Sequence, residues 1–382
     1  MSAPIRRTTD VIAELLPLEG RRVLEAGCGE GVLVAWMRRR GAEAFGLETS
    51  VPVLRRARER LGSSGLVAAR GEALPFAACS VEGVLWHNAF HHLAPAAMVE
   101  ALTEASRVLV PEGRLLVLEP LPEDEYFELV RPLEDETAIR ALAREVLERA
   151  VDLGFARVAR SSYVQLVLRR SLDELFTALL AADPARAARL PEARSEIASA
   201  FARLGQPTAE GRVFRQPMLA LAFARREEGP RIAIARARSE RDAVFALRRR
   251  VFIEEQGVPP DEELDAFDAC AEHLLARVGD EVVGTLRWRP IDDAGTVKLE
   301  RVAVRHDHRG RGVARALLRF ALARIDGRGL GPVVLHAQAH ALDVYRGHGF
   351  EPRGEEFREA GIPHRRMERP LHPLAAAVRA LA

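Results

Sequence analysis

The sequence predicts an α/β protein made of two domains. Its 382 residues are more than a single hydrophobic core usually organises. Two segments, residues 22–39 and 298–318, each run from an apolar strand through a glycine-rich turn into a helical pattern. Between them, charged residues followed by Gly229-Pro230 separate two further apolar strands. We therefore expect one domain at residues 1–228 and a second at residues 229–382.

Charge and cysteine content narrow the possible function classes. The 56 basic and 55 acidic residues give a net charge of +1, so no overall field attracts nucleic acid or anionic lipid. Cys28, Cys79 and Cys270 form no CxxC pair, which is typical of reduced thiols in the cytosol. No apolar run reaches membrane-spanning length. We expect a cytoplasmic protein with no nucleic-acid or membrane partner, and the sequence leaves its oligomeric state open.

The early glycine-rich turn reads Glu-Ala-Gly-Cys-Gly-Glu-Gly over residues 25–31. A dinucleotide-binding G-x-G-x-x-G pattern would need glycine where Val32 stands. The observed spacing resembles motif I of the class I S-adenosylmethionine (SAM) methyltransferases, which have a Rossmann-like, doubly wound sheet. The resemblance implies that Gly27, Gly29 and Gly31 let the backbone lie against the methionine part and the ribose of SAM.

Later segments extend this resemblance. Glu48 ends the next strand about twenty residues after the first glycine, where an acid can accept hydrogen bonds from both ribose hydroxyls. Residues 71–76 and 84–93 resemble further motifs of the family. Members often have an aspartate at the adenine contact, where this sequence has Arg70, so Glu72 or the Ala73 backbone is expected to replace it. The predicted SAM-binding residues are Glu25, Gly27, Gly29, Gly31, Glu48, Glu72, Ala73 and Asn88.

The sequence says less about the methyl acceptor, because methyl transfer from a sulfonium mainly requires that the two reactants be positioned and needs no dedicated catalytic residue. Insertions after the fifth strand of this class often shape the acceptor pocket, and a solvated helical face explains the same charges equally well. The candidates there are Tyr126, Arg131, Glu134 and Glu136. Adjacent His91 and His92 have no carboxylate at ligand spacing, so we expect no metal and a structural or pocket-lining His92.

The second glycine-rich turn, Arg309–Gly312, follows a strand and precedes a helix. That order aims free backbone amides and the positive end of a helix dipole at one point, which suits phosphate. A nucleotide P-loop would need a Gly-Lys pair, and the sequence has a single lysine, Lys298. Arg309, Gly312 and Ala314 instead match the spacing of the acetyl-CoA signature, so the segment resembles the GNAT N-acetyltransferases.

Three further fragments are similar to the ElaA-type branch of that family: Phe252–Gln256, Ala337–His340 and Gly361–His364. The resemblance implies a mixed sheet whose fourth and fifth strands part to admit the pantetheine arm beside Val302 and Val304. It also implies that Tyr345 protonates the departing thiolate. Asp343 stands where members often have asparagine. The predicted acetyl-CoA contacts are Val302, Ala303, Val304, Arg309, Gly310, Arg311, Gly312, Val313, Ala314 and Asp343.

An ammonium acceptor must lose a proton before it attacks the thioester. The candidate bases are Glu300, which we favour, together with Glu255, His340 and His364. The pairs His306/His308 and His336/His340 suggest zinc, but no convincing third and fourth ligands accompany them, so no metal is expected.

These resemblances lead to one function and one alternative. We expect a bifunctional transferase that uses SAM and acetyl-CoA on small-molecule acceptors, with an amine as the acetyl acceptor. In the alternative, the N-terminal half is a catalytically silent SAM-binding or partner-binding module that regulates the acetyltransferase. Arg70 at the adenine position favours the alternative.

Overall fold

The computed structural model describes residues 3–182 and 184–382. Its backbone contacts divide the chain into two compact units. The first unit comprises residues up to Ala94, Ala101–Glu145 and Phe155–Arg225. The second comprises Pro95–Glu100, Val146–Gly154 and Arg226–Ala382. Among the described residues, no helix is both long enough and apolar enough to cross a membrane.

The first unit is built on one twisted sheet in the order β3-β2-β1-β4-β5-β8-β6, with the short β7 on β8. Its strands are β1 Arg22–Ala26, β2 Glu43–Glu48, β3 Leu66–Ala68, β4 Val81–His87, β5 Leu109–Pro120, β6 Phe155–Arg169, β7 Gln206–Thr208 and β8 Gly211–Arg225. The first five strands are parallel, and β8 is antiparallel to both β5 and β6. The predicted doubly wound α/β sheet is confirmed.

Helices flank this sheet, as its almost continuously apolar strands require. They are α1 Thr8–Leu15, α2 Val32–Arg39, α3 Val51–Leu61, α4 Pro95–Val108, α5 Asp124–Val130, α6 Thr137–Glu148, α7 Leu172–Ala182 and α8 Leu190–Arg203. The insertion after β5 packs its own apolar cluster around Leu175, Ile197 and Phe214, all of which are buried. The carboxyl ends of the parallel strands remain the edge at which the first glycine-rich turn lies.

The second unit is a mixed seven-stranded sheet in the order β14-β15-β13-β12-β11-β10-β9. Its strands are β9 Arg231–Ile234, β10 Glu272–Val278, β11 Glu281–Pro290, β12 Val297–Val304, β13 Val333–Gln338, β14 Glu351–Glu359 and β15 Ile362–Arg369. Its helices are α9 Arg238–Arg248, α10 Pro260–Glu263, α11 Val313–Gly327, α12 Leu342–Arg346 and α13 Pro373–Leu381. Residues Arg249–Glu255 continue α9 as a π-helical turn.

Strands β12 and β13 part soon after they begin. They pair in parallel at Val297↔Val333 and Lys298↔Val334. Beyond that point β12 stays on β11, and β13 stays on β15. Arg301 has a left-handed φ of 56°, where the register of β12 on β11 shifts. The bulge and the parting strands open a gap in the sheet, as the family resemblance implied.

Candidate functional site

The first glycine-rich turn lies at the carboxyl ends of β1 and β2. Gly27, Gly29 and Gly31 all adopt positive φ, which side chains rarely adopt. A Cβ on Gly27 would lie 2.6 Å from the Cβ of Ala89, whereas a Cβ on Gly29 would meet nothing within 4 Å. Glu48 Oε2 accepts a hydrogen bond from the Gly29 amide at 3.1 Å, and Glu48 Oε1 accepts one from the Ser50 amide at 2.8 Å.

Buried polar atoms without partners collect at the same edge. Among the described residues, Glu25 Oε2, His87 Nε2 and Asn88 Oδ1 are buried and have no hydrogen-bond partner. They lie on β1, at the end of β4 and directly after it. Asn88 also has a left-handed φ of 53°. Since buried polar groups are normally paired, three unpaired ones beside an open glycine fit a polar ligand such as SAM.

The predicted adenine contacts form a local structure of their own. Arg70 Nε lies 2.8 Å from Glu72 Oε1, with the Arg70 side chain mostly exposed. The amide of Ala73 donates to the Arg70 carbonyl oxygen at 3.1 Å, which closes a turn. Ala73 can therefore contact adenine only through groups other than this amide, and Glu72 would have to share its carboxylate with Arg70.

Burial controls the ionisation of Glu25. The residue is only 3 % exposed, and this burial raises the pKa of its carboxyl group to about 8. The neighbouring Glu48 carboxylate raises the pKa of Glu25 further. At neutral pH the free protein therefore holds Glu25 protonated, and a cationic ligand beside it would favour the ionised form.

Replacing Glu25 by glutamine is expected to remove a pH dependence of stability. In the folded protein Glu25 stays protonated up to a pKa of about 8, whereas the unfolded chain ionises it near the ordinary value of 4.5. The wild-type free energy of unfolding therefore falls, relative to Glu25→Gln, as pH rises through this window. A difference of one pKa unit corresponds to about 1.4 kcal/mol. Thermal melts across the window would measure the effect.

The exposed Glu59, replaced by glutamine, is the matched control, because its side chain is 70 % exposed. Glu59→Gln should follow the wild-type curve at every pH. Melting curves of Glu25→Gln that run parallel to the wild type across the whole window would contradict the assignment of a protonated Glu25.

A network of charges that sequence spacing did not indicate surrounds His91. His91 Nδ1 is hydrogen-bonded to Glu119 Oε2, and His91 Nε2 lies 3.7 Å from Glu136 Oε2. Glu119 also accepts hydrogen bonds from the amides of Ala89 and Phe90. Although burial, the largest single influence, opposes ionisation of Glu119, the neighbouring His91 and His92 and the Phe90 amide together hold the pKa of Glu119 below its ordinary value. Of the two histidines, His91 is buried and His92 is exposed.

The ligand atoms of His91, His92 and Glu136 lie within 4.8 Å of one another. The sequence next to the two histidines has no carboxylate at ligand spacing, but Glu119 and Glu136 approach them from distant parts of the chain. However, Glu136 binds Arg140 at 2.5 Å and Arg186 at 3.3 Å. A divalent cation would be repelled by both guanidinium groups, so the cluster is better suited to an ion-pair network than to a metal.

The four acceptor candidates of the insertion all have protein partners. Tyr126 Oη accepts a hydrogen bond from Arg169 at 2.7 Å, and Arg131 pairs with Glu128 at 3.1 Å. Glu134 pairs with Arg186 at 2.9 Å. Glu136 is paired as well, so each of the four groups already has a protein partner.

The second glycine-rich turn lines a cavity of about 660 Å³ in the second unit. The cavity extends along the parted ends of β12 and β13. Residues predicted to bind acetyl-CoA or act in catalysis that line it are Glu300, Val302, Ala303, Val304, Arg309, Gly310, Gly312, Val313, Ala314 and Tyr345. The structure thus brings predicted residues from three separate segments together on one contiguous surface.

The turn itself is shaped for an anion. Gly310 and Gly312 have φ of 75° and 80°, and a Cβ on either would meet nothing within 4 Å. Gly312 is the N-cap of the 15-residue α11. Open space in front of main-chain amides at a helix N-terminus fits a pyrophosphate. Arg309 is held in place by the Val304 carbonyl oxygen at 3.0 Å and by Glu255 at 2.5 Å.

Two predicted contacts lie outside the cavity lining. The Asp343 carboxylate is 91 % exposed and pairs with Arg346 at 2.8 Å. Arg311 is exposed and does not contribute to the lining. A cofactor could still reach either group beyond the cavity mouth, so both stay predictions.

Tyr345 is buried at the inner wall of the cavity, with its ring against Phe350 at a centroid distance of 6.1 Å. Burial raises the pKa of its phenol to about 12. The group therefore stays protonated at any ordinary working pH, which is the state required of a proton donor.

Glu300 belongs to a buried ion-pair network. Its carboxylate binds Arg287 and lies 3.3 Å from Arg289 Nε. Arg287 also binds Asp265 and Asp268, and Arg248, equally buried, binds Glu263 and Asp268. Uptake of a proton by Glu300 would disrupt its pairing with Arg287. The favoured base is thus in the cavity but already has two cationic partners.

Two family models match the chain, one over each glycine-rich turn. The model of a methyltransferase domain matches residues 24–117, and the model of an acetyltransferase (GNAT) domain matches residues 249–371. Both turns therefore belong to transferase domains. The second half is similar to the uncharacterized N-acetyltransferase YjcF of Bacillus subtilis, with 38 % identity over 136 residues, 35 % of this chain and 95 % of that protein.

Solved structures resemble the two units separately. Escherichia coli ElaA is 31 % identical and covers 37 % of this chain and 99 % of its own, with a TM-score of 0.35. The YcgJ protein of Bacillus subtilis is 17 % identical and covers 58 % of this chain and 98 % of its own, with a TM-score of 0.41. The chain carries an N-terminal methyltransferase domain and belongs, over its C-terminal part, to the GNAT N-acetyltransferase family.

Proposed function

We propose that the protein is a bifunctional transferase that methylates one small-molecule acceptor with SAM and acetylates a small-molecule amine with acetyl-CoA. The observation that carries the acetyl half is the cavity between β12 and β13, which joins the open glycine turn to the buried Tyr345. The cofactor families of the two matched domains support the choice of both donors. Balanced charge and the absence of a basic stripe in the sequence support a small acceptor.

In the acetyl half, acetyl-CoA supplies an activated acetyl thioester. Gly310, Gly312 and the first turn of α11 would hold its pyrophosphate through backbone amides. The unpaired edge of β12 at Val302 and Val304 would hold the pantetheine arm as an added strand. Tyr345 would give its phenolic proton to the departing thiolate.

In the methyl half, SAM supplies a methyl group on a sulfonium that is already a good leaving group. Gly27, Gly29 and Gly31 would let the backbone approach the ligand, and Glu48 would exchange its amide partners for ribose hydroxyls. Glu25 and Asn88 would pair their free oxygens with polar groups of SAM. The residues here bind and orient, and none is required to transfer a proton.

The alternative assigns the methyltransferase domain to binding alone, as a module that regulates the acetyltransferase. The Arg70–Glu72 ion pair at the adenine position favours it, since it occupies the carboxylate that adenine would need. Calorimetry with SAM on the full-length chain, followed by a methyl-transfer assay across an acceptor panel, separates the two. SAM binding without any transfer supports the module, and transfer excludes it.

Thermal shifts of the full-length chain with SAM and with acetyl-CoA test both donors. A ligand at one hundred times its Kd should stabilise its domain by about 2.7 kcal/mol. If neither compound shifts the melting curve, the proposed function is wrong. If acetyl-CoA alone does so, the first domain is a scaffold.

Gly29→Ala is expected to weaken SAM binding about tenfold or more, an energy of roughly 1.4 kcal/mol. The new Cβ would enter the open space where the ligand is expected. The substitution also costs roughly 1–2 kcal/mol of stability, because position 29 has a left-handed φ that residues with a Cβ rarely adopt. Gly62→Ala is the matched control, because Gly62 also has positive φ and open space around it but ends α3. Equal SAM affinity in the two variants would contradict the assignment.

A further inference from the structure

A histidine–carboxylate pair lies in the lining of the cavity of the second unit. His336, on β13, comes two residues after Val334, which is the last residue of β13 paired with β12. His336 Nδ1 lies 2.9 Å from Glu359 Oε2 on β14, and both residues line the cavity. With Nδ1–H donated to Glu359, the lone pair of Nε2 is available to accept a proton.

Neighbouring elements fix where this imidazole points. The Phe357 ring meets it edge-on at a centroid distance of 4.9 Å. Because side chains alternate along strands, His336 shares a face with Val334 and therefore with Lys298, the partner of Val334 on β12. Glu300, two residues further along β12, is on that face as well. His336 thus flanks the gap at the end where the two strands begin to part.

The candidate bases named from the sequence are held differently, and His340 lines the cavity without a carboxylate partner in the described structure. Glu300 is bound to Arg287 and Arg289, and Glu255 is bound to Arg309. His364 Nδ1 lies 2.9 Å from the Ile362 carbonyl oxygen, so no carboxylate orients it. His336 differs from all of them because it combines two features. It lines the cavity, and its carboxylate partner, Glu359, has no guanidinium group bound to it in the described structure.

Charged and titratable groups around His336 come from three strands. They are Glu359 on β14, His364 and Arg366 on β15, and Lys298 and Glu300 on β12. The hydrogen bond from His336 is the main cause that holds the pKa of Glu359 below its ordinary value. Glu359 therefore stays ionised near neutral pH and can stabilise an imidazolium beside it.

We propose that His336, oriented by Glu359, removes the proton from an alkylammonium acceptor of the acetyltransferase domain; this rests on the proposed acetyl transfer. Nε2 of His336 forms an N–H bond as an N–H bond of the ammonium breaks. The freed nitrogen lone pair forms the C–N bond to the acetyl carbon, and the C–S bond breaks. Tyr345 protonates the thiolate, and the second proton lost as the amide forms returns to Tyr345 through solvent. His336 then releases its proton to solvent.

The test is thiol release from acetyl-CoA by the full-length chain with two probe amines. Benzylamine is mostly protonated at neutral pH, whereas hydroxylamine is mostly unprotonated. The wild-type rate with benzylamine should rise with pH and level off well below the pH at which benzylamine itself loses its proton in solution. His336→Gln should lower the benzylamine rate near neutral pH by about 10²–10⁴-fold, move the levelling-off to the pH at which the amine itself loses its proton, and affect hydroxylamine far less. Added imidazole should restore part of the rate in His336→Gly.

Glu359→Gln tests whether the Glu359 carboxylate positions His336 or only packs beside it. Loss of the carboxylate removes the hydrogen bond that orients His336, so the benzylamine rate should fall while acetyl-CoA affinity stays the same. His306→Gln is the control, because His306 is exposed and does not line the cavity. It should keep the wild-type profile.

A wild-type profile in His336→Gln would overturn the assignment, as would equal losses with both amines. The same rate loss and pH shift in His364→Gln alone would place the base at His364 and overturn the assignment as well. Wild-type protein that binds acetyl-CoA by calorimetry but releases no thiol with either amine would refute the proposed acetyl transfer itself, and the role of His336 with it.

Discussion

Tyr345→Phe is expected to reduce acetyl transfer by about 10²–10⁴-fold and to leave acetyl-CoA affinity unchanged. The phenol lines the cavity, and its pKa of about 12 keeps it protonated at working pH. Phenylalanine preserves the ring packing on Phe350 and removes only the proton donor. Thiol release measures the rate, and calorimetry measures the affinity.

The control for this substitution is Tyr163→Phe in the first unit, where the hydroxyl is 3.0 Å from Thr8 Oγ1. It should leave acetyl transfer intact. An unchanged rate in Tyr345→Phe would remove Tyr345 from the chemistry, and a fall in acetyl-CoA affinity would point to a binding role instead.

Gly312→Val is expected to abolish measurable acetyl-CoA binding in the micromolar range. Nothing lies within 4 Å of a Cβ at this position, so the side chain fits the folded protein but fills the space in front of the α11 amides. The left-handed φ of 80° adds a moderate loss of stability. Calorimetry at a temperature well below the melting point separates the two effects.

Gly279→Val is the matched control, because it introduces similar backbone strain at a position away from the proposed ligand. Gly279 has a φ of 58°, is surrounded by open space and lies in the turn between β10 and β11, outside the cavity lining. It should lose stability to a similar extent and bind acetyl-CoA normally. If Gly312→Val also binds normally, the pyrophosphate lies elsewhere.

Local patterns predicted those parts of the fold that short segments determine. Both glycine turns, the strand before each and the helix after each follow from periodicity and from residues that tolerate positive φ. The alternation along Lys298–Val304 and the apolar run Val84–Trp86 correspond to β12 and β4. β6 extends over Phe155–Arg169 because of its long antiparallel pairing with β8, which local propensity does not encode.

The site was harder to predict wherever partners come from distant parts of the chain. Glu119 and Glu136 reach His91 from 28 and 45 residues away, so no motif spacing signals them. Glu359 lies 23 residues after His336, at the end of β14 in the β14–β15 hairpin, which no sequence motif predicted. Glu359 is a single carboxylate two residues before Gly361, and no sequence motif marks it as a functional residue. Pairings between strands create these contacts, and only the fold specifies them.

The buried ion pairs that line the cavity of the second unit limit how the specificity of this domain can be re-engineered. Glu263, Glu300 and Arg301 line the cavity, yet each also neutralises a charge in the network that includes the fully buried Arg248 and Arg287. Replacing one partner leaves a buried charge unpaired. This lowers the free energy of unfolding by about 3–5 kcal/mol, a large share of a domain's stability. Mutant libraries aimed at new acceptors would therefore keep more folded members if they varied Phe252, Gln256 and Ile362 and left the ion pairs intact.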